Sequence, residues 1–200
     1  MKKNQFWLYL VSSIALTLLI PSHANAHTGM GDTSGLLHGL SHPISGLDHI
    51  LAMVAVGLWA AQIGGRALWL VPSAFMLAMA GSSIWGHFGL PLPGVESGII
   101  ASDFVLGALI LFATRLPLAV SMSIVGALAV FHGYAHGAEM PATASGLTYG
   151  AGFILSTALL HLVGIGMGLL IERCEPILRQ LFFRIGGGAV VVGAVYVLVN

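Results

Sequence analysis

The sequence predicts an all-α integral membrane protein that crosses the bilayer six times after a cleaved signal peptide. Apolar residues make up 57% of the chain, whereas charged residues make up only 7%. A soluble domain carries about 25% charged residues, and a chain with so few could not cover its surface in water. The apolar residues also fall into segments of about 20, the length that crosses the hydrocarbon core of a bilayer.

The N-terminus has the three parts of a secretory signal peptide. Two lysines precede an apolar run over residues 6–20, and an Ala-x-Ala sequence ends at Ala26. Such segments are removed after export. We therefore assign residues 1–26 to the signal peptide and residues 27–200 to one six-helix transmembrane domain of a bacterial inner membrane. The alternative is an uncleaved signal anchor.

Six later segments are long and apolar enough to be spans. They lie at residues 40–61, 67–85, 98–114, 117–136, 147–171 and 181–199. Glycine and proline mark the breaks between them, as at Gly64-Gly65 and in the sequence Pro-Leu-Pro-Gly over residues 91–94.

The arginines predict how these spans are oriented. They lie in or near the connections after the first, third and fifth spans, at Arg66, Arg115, Arg173, Arg179 and Arg184. The other two connections contain no lysine or arginine. By the positive-inside rule the arginine-bearing connections face the cytoplasm. Both termini of the mature chain are then expected in the periplasm, in agreement with signal cleavage.

Several function classes are disfavoured by composition. Seven basic residues balance seven acidic ones, which gives no reason to expect a nucleic-acid partner. The single cysteine, Cys174, excludes an intrachain disulfide and a thiolate metal cluster. The chain also lacks the Gly-x-x-x-x-Gly-Lys-Ser/Thr phosphate-binding loop.

Two clusters of ionisable residues interrupt the apolar spans, where such residues are costly and usually mark a site. The first cluster contains His42, Asp48 and His49 in the first span, and the second contains His132, His136 and Glu139 at the end of the fourth. In continuous helices, the spacings of four and seven residues would align His38, His42 and His49 on one stripe and the second cluster on another.

The predicted topology brings the two clusters to the same depth. The first span enters from the periplasm and the fourth returns to it, so both clusters lie in the outer half of the membrane. Asp103 in the third span is also in the outer half, and His161 in the fifth lies nearer the middle. We expect these two residues to guide an ion inward.

Imidazoles and carboxylates without sulfur suit borderline divalent ions such as Ni²⁺, Co²⁺ or Zn²⁺. Copper(I) prefers sulfur, and Mg²⁺ and Ca²⁺ prefer oxygen alone. Cleavage after Ala26 would add His27 as a further metal ligand, through its free amine and its imidazole. N-terminal sequencing that found another first residue would exclude that ligand. The alternative for His27 is a disordered terminus, and that for the helix histidines is a structural role in hydrogen bonding between helices.

At the two clusters the chain resembles the HupE/UreJ family of nickel/cobalt permeases. The family's first motif, a histidine, five residues and Asp-His, is met at residues 42–49. Its second, Phe-His-Gly-x-Ala-His-Gly-x-Glu, is met in full at residues 131–139. The resemblance covers essentially the whole chain. It implies Ni²⁺ or Co²⁺ as transported substrate, a secondary or facilitated route, no catalytic activity and no tightly bound cofactor.

Two other functions fit part of the pattern. In a membrane-embedded metallohydrolase, histidines and an aspartate would hold Zn²⁺ and activate water, and purified protein should hydrolyse a lipid or peptide. A haem-binding subunit would take axial histidines from two helices and would show a visible absorbance band.

Histidine ligation predicts a pH dependence. Because protons compete with metal for imidazole nitrogen, we expect uptake to fall as the external pH drops below about 6.5. Uptake of radioactive metal by cells at a series of pH values measures this. Unchanged uptake between about pH 5 and about pH 7.5 would count against histidine ligands.

Overall fold

The computed structural model describes residues 33–142 and 144–200, and every regular element in these ranges is a helix. The seven helices described are α1 Thr33–Ser45, α2 Leu47–Ile63, α3 Ala67–His87, α4 Val95–Leu111, α5 Leu118–Ala138, α6 Gly146–Glu172 and α7 Pro176–Val199. The prediction of an all-α protein is confirmed for this part of the chain. The predicted signal peptide and His27 lie outside the described residues.

Four of these helices, α3, α5, α6 and α7, are each long and apolar enough to cross a membrane. The helices α1 and α2 meet the same criteria only as a bent pair, which is either a broken span or a re-entrant loop. The remaining helix, α4, has 17 residues and lies at the lower end of the range that spans a bilayer. The chain is therefore a multi-pass membrane protein, and the first and third of the six predicted spans, at α1–α2 and α4, stay predictions.

The expectation of one continuous helix over residues 40–61 is wrong. The chain bends by 82° between α1 and α2, so the stripe of histidines predicted for a straight helix does not form. Gly46 is extended at the bend, with φ −99° and ψ 126°. Pro43 lies inside α1 and removes one backbone donor. Asp48 then helps to begin α2 by accepting the backbone N–H of His49 at 2.8 Å.

Glycines allow neighbouring helices to pack with their backbones in contact. A Cβ atom at Gly133 or Gly137 of α5 would overlap a backbone carbonyl of α3. A Cβ atom at Gly57 of α2 would likewise overlap the backbone of α6, and one at Gly164 of α6 would overlap the backbone of α2. Small residues serve this purpose in membrane helices, where packing rather than water drives association. The glycines of the second motif therefore place α5 tightly against α3.

The helices alternate in direction, so the connections lie at two ends of the bundle. At one end, the indole N–H of Trp59 in α2 donates to the carbonyl of Thr114, just after α4, at 3.0 Å. Arg66 and Arg115 follow in sequence at this end. At the other end, His42 Nε2 of α1 lies 3.3 Å from Glu139 Oε2, just after α5. The histidine clusters and the arginine-bearing connections are thus at opposite ends.

The tight α3–α5 contact predicts that Gly137→Ala destabilises the protein. The added Cβ would meet the carbonyl oxygen of Ser83, and overpacking of this kind costs about 1–3 kcal/mol. The midpoint of thermal unfolding in detergent measures the loss. Gly166→Ala is the matched control, because nothing lies within 4 Å of a Cβ at that position of α6. Equal midpoints for the two variants would contradict the packing argument.

Candidate metal site

Three imidazoles meet where α1 ends, α2 begins and α5 ends. His42, His49 and His136 each offer one ring nitrogen, and these nitrogens lie within 4.8 Å of one another. The ring centroid of His136 is 4.8 Å from that of His42 and 4.9 Å from that of His49. The bend at Gly46 brings the His42 and His49 rings, which belong to different helices, to a centroid distance of 5.8 Å. We call these three residues the histidine cluster.

Asp48 fixes the orientation of the His49 ring. Its Oδ1 lies 2.9 Å from His49 Nδ1. Because a carboxylate only accepts, His49 carries its proton on Nδ1 and presents a lone pair at Nε2. That Nε2 is buried and has no hydrogen-bond partner among the described residues. Histidines that bind metals commonly donate their other ring N–H to a carboxylate in this way.

His136 is held by packing rather than by hydrogen bonds. Its ring stacks on Phe153 of α6, with the centroids 4.9 Å apart and the planes 8° from parallel. Neither ring nitrogen has a hydrogen-bond partner in the part of the chain that the structure describes, and the side chain is fully buried. A buried polar group without a partner is costly. The unprotonated ring nitrogen of His136 is therefore available to bind a cation.

A cavity of about 210 Å³ opens beside the histidine cluster. Its lining includes His42, Asp48 and His49, together with the exposed Glu96 and Glu139. Burial raises the pKa of Glu139. The nearby carboxylates of Glu96 and Asp48 raise this pKa further, whereas His49 lowers it. A cation in the cavity would relieve the repulsion among these carboxylates.

Further polar groups continue from the cluster toward the middle of the bundle. The ring centroid of His132, one turn before His136, lies 5.1 Å from that of His49. The ring of Phe75 contacts both His132 and His161, with centroid distances of 5.6 Å and 5.3 Å. Both ring nitrogens of His161 are buried without a hydrogen-bond partner among the residues described.

Asp103 is the most deeply buried acidic residue near the site. Its side chain is fully buried on α4, and neither carboxylate oxygen has a partner within residues 33–142 and 144–200. A carboxylate in such surroundings is costly unless it is protonated or meets a cation.

The structure brings together members of both predicted clusters: His42, Asp48 and His49 from the first, and His136 and Glu139 from the second. His132, Asp103 and His161 lie deeper. His87, by contrast, is exposed and packs on Phe88, with a centroid distance of 5.4 Å.

Sequence reasoning missed the residues that hold these side chains in place. They are Gly46 at the bend, Phe153 behind His136, Phe75 beside the inner histidines, and Ser102, whose hydroxyl contacts His132. The Ser-Gly pair at residues 45–46 is a recognisable signal for a helix break. An uncharged residue within an apolar helix, such as Phe75 or Ser102, gives no such signal.

Apolar helices around a partly buried cluster of histidines and carboxylates define a multi-pass membrane protein with a polar site at one end of its helical bundle. The model of the HupE / UreJ protein family matches residues 14–196. Protein HupE of Rhizobium leguminosarum bv. viciae is 43% identical over 190 residues, which cover 95% of this chain and 97% of that protein. The chain therefore belongs to the HupE/UreJ family, as the two motifs predicted. Family membership implies metal uptake. No solved structure matches the chain.

The position of Gly46 predicts that Gly46→Ala weakens metal binding. A Cβ there would lie 2.6 Å from Asp48 Oδ1 and 3.1 Å from His49 Nδ1, so this pair must move. Because such partners orient a ligand, we expect the affinity for Ni²⁺ or Co²⁺ to fall about 10-fold or more. Titration calorimetry on purified protein measures it, with Gly81→Ala as control, since nothing lies within 4 Å of a Cβ there. Wild-type affinity in Gly46→Ala would contradict this geometry.

Proposed function

We propose that the chain carries Ni²⁺ or Co²⁺ into the cell across a bacterial inner membrane by a secondary or facilitated route. The histidine cluster beside an open, acidic cavity is the observation that carries this proposal. Neutral imidazoles with carboxylates, and no sulfur ligand among the predicted site residues, suit these ions. In this proposal the metal is the transported substrate, and the chain catalyses no reaction.

The acidic residues would act first. Glu96 and Glu139 are exposed at the cavity, where their negative charge attracts a hydrated cation. His42 is partly exposed and lies 3.3 Å from Glu139, so it is the first imidazole within reach. The buried His49 and His136 would then replace further water molecules of the ion.

The spacing within the histidine cluster bears on how tightly the cluster would hold an ion. Two metal–nitrogen bonds of about 2.1 Å reach across at most about 4.2 Å. The ring nitrogens of the cluster lie within 4.8 Å of one another, so a pair at that limit would need a side-chain movement before both nitrogens bound one ion. A transported ion must be held weakly enough to leave again. From the cluster, His132, Asp103 and His161 would guide the ion toward the middle of the membrane.

We further propose the six-span topology with a cleaved signal peptide and periplasmic termini. In this arrangement the bent pair α1–α2 is the first span and α4 is the third. The histidine cluster then faces the periplasm, where incoming metal arrives. The arginine-bearing connections at the opposite end of the bundle support this orientation, because arginine is enriched on the cytoplasmic side. His27 would be the first residue of the mature chain and an additional ligand at the entrance.

A membrane-embedded zinc hydrolase is the second candidate. Three histidines with an open coordination position also build catalytic zinc sites. In that case the purified protein would bind Zn²⁺ and hydrolyse a lipid or peptide, and cells would accumulate neither Ni²⁺ nor Co²⁺ through it.

Uptake of radioactive nickel and cobalt in cells tests the proposal. At equal abundance in the membrane, we expect His136→Ala and Asp48→Ala to lower uptake about 10-fold or more. His136→Ala removes a proposed ligand, and Asp48→Ala removes the partner that orients His49. His132→Ala should also reduce uptake. His87→Ala is the control, since His87 is exposed and outside the cavity. A wild-type protein that moves neither ion would contradict the permease function.

A further inference from the structure

We propose that Ser102 is a positioning residue that fixes His132 as the tautomer with its proton on Nε2, so that Nδ1 presents the lone pair to the transported cation. The proposal rests on the proposed transport function. It concerns how the ion leaves the histidine cluster, because His132 lies beside His49 but is not one of the three clustered ligands.

Two short contacts of the Ser102 hydroxyl carry the argument. Ser102 on α4 and His132 on α5 are both fully buried. The hydroxyl oxygen lies 2.6 Å from the carbonyl oxygen of Ile99 and 2.7 Å from His132 Nε2. A serine hydroxyl has one proton, and a carbonyl oxygen can only accept. When Ser102 donates to Ile99, its oxygen must accept from His132, which places the imidazole proton on Nε2.

The opposite assignment leaves a buried donor without an acceptor. If Ser102 donated to Nε2, the proton of the neutral imidazole would sit on Nδ1. That nitrogen is buried and has no hydrogen-bond partner among the described residues. Buried N–H groups without acceptors are rarer than acceptors that lack a donor. The Ser102 hydroxyl would also give up its bond to the Ile99 carbonyl. Both considerations favour the Nε2–H form.

Different partners then set the tautomers of the two neighbouring imidazoles, His49 and His132. Asp48 leaves the lone pair of His49 at Nε2, and Ser102 leaves that of His132 at Nδ1. A carboxylate partner raises the basicity of the imidazole that donates to it. A neutral hydroxyl does so less, so His132 holds the cation less tightly than His49. Such weaker binding suits a position from which the ion moves on.

Nitrogen-15 NMR of histidine-labelled protein in detergent measures the tautomer directly, without any metal. We assign the His132 signals by their loss in His132→Gln. The wild type should show a proton on Nε2 and none on Nδ1. In Ser102→Ala, we expect a mixture of both tautomers. A wild-type His132 with its proton on Nδ1, or an unchanged tautomer in Ser102→Ala, would overturn the proposal.

Uptake of radioactive nickel then tests the consequence for transport. Ser102→Ala should lower uptake about 10-fold, because loss of the hydrogen-bond partner of a metal ligand commonly has an effect of this size. Ser102→Thr retains a hydroxyl and should restore most of it. Ser121→Ala is the control, because Ser121 is equally buried and donates to the carbonyl of Pro117, at the far end of the bundle. Wild-type uptake in Ser102→Ala would overturn the role of Ser102.

The outcomes for the two proposals are separable. If the wild type takes up neither ion, the transport function fails, whereas NMR still reports the tautomer. If Ser102→Thr does not fold because there is no room for its extra methyl group, the tautomer of His132 in Ser102→Ala still tests the role of Ser102.

Discussion

The central constraint is that hydrocarbon cannot solvate polar groups, so each one buried in a membrane bundle needs a partner within the protein or an ion. Asp48 and Ser102 satisfy one nitrogen each on His49 and His132. The opposite nitrogen of each ring, and both nitrogens of His136, have no hydrogen-bond partner among the described residues. In the proposed function, these buried lone pairs are the groups that would coordinate the passing divalent cation.

The backbone of the two motifs builds this arrangement through glycine. Gly46 separates α1 from α2, so that His42 from α1 and His49 from α2 face one another across the bend. In α5, Gly133 and Gly137 each follow a histidine and contact the backbone of α3. The histidines occupy one face of the helix while the adjacent glycines fix its distance from the neighbouring helix. The motif residues are therefore divided between the candidate metal site and helix packing.

The class of fold, the family and the meeting of the two clusters were predictable from sequence. The two motifs indicate the family. Composition and span order suffice for the fold class and for the meeting of the clusters, because helices that alternate in direction return the end of α5 to the beginning of α2. The bend at Gly46 was not predicted, although Ser45-Gly46 is a signal for a helix break, because residues 40–61 have the length of one span. The roles of Phe153 and Ser102 depend on contacts between distant helices, which no local pattern encodes. The tertiary arrangement alone reveals them.

The central claim is that metal binds at the histidine cluster, and X-ray absorption spectroscopy of the purified protein with stoichiometric Ni²⁺ or Co²⁺ tests it most directly. The account predicts imidazole nitrogen in the first coordination shell, with fewer imidazoles bound in His136→Ala. It predicts an unchanged spectrum in His87→Ala. A shell of oxygen alone, or one that His136→Ala leaves unaltered, would contradict it.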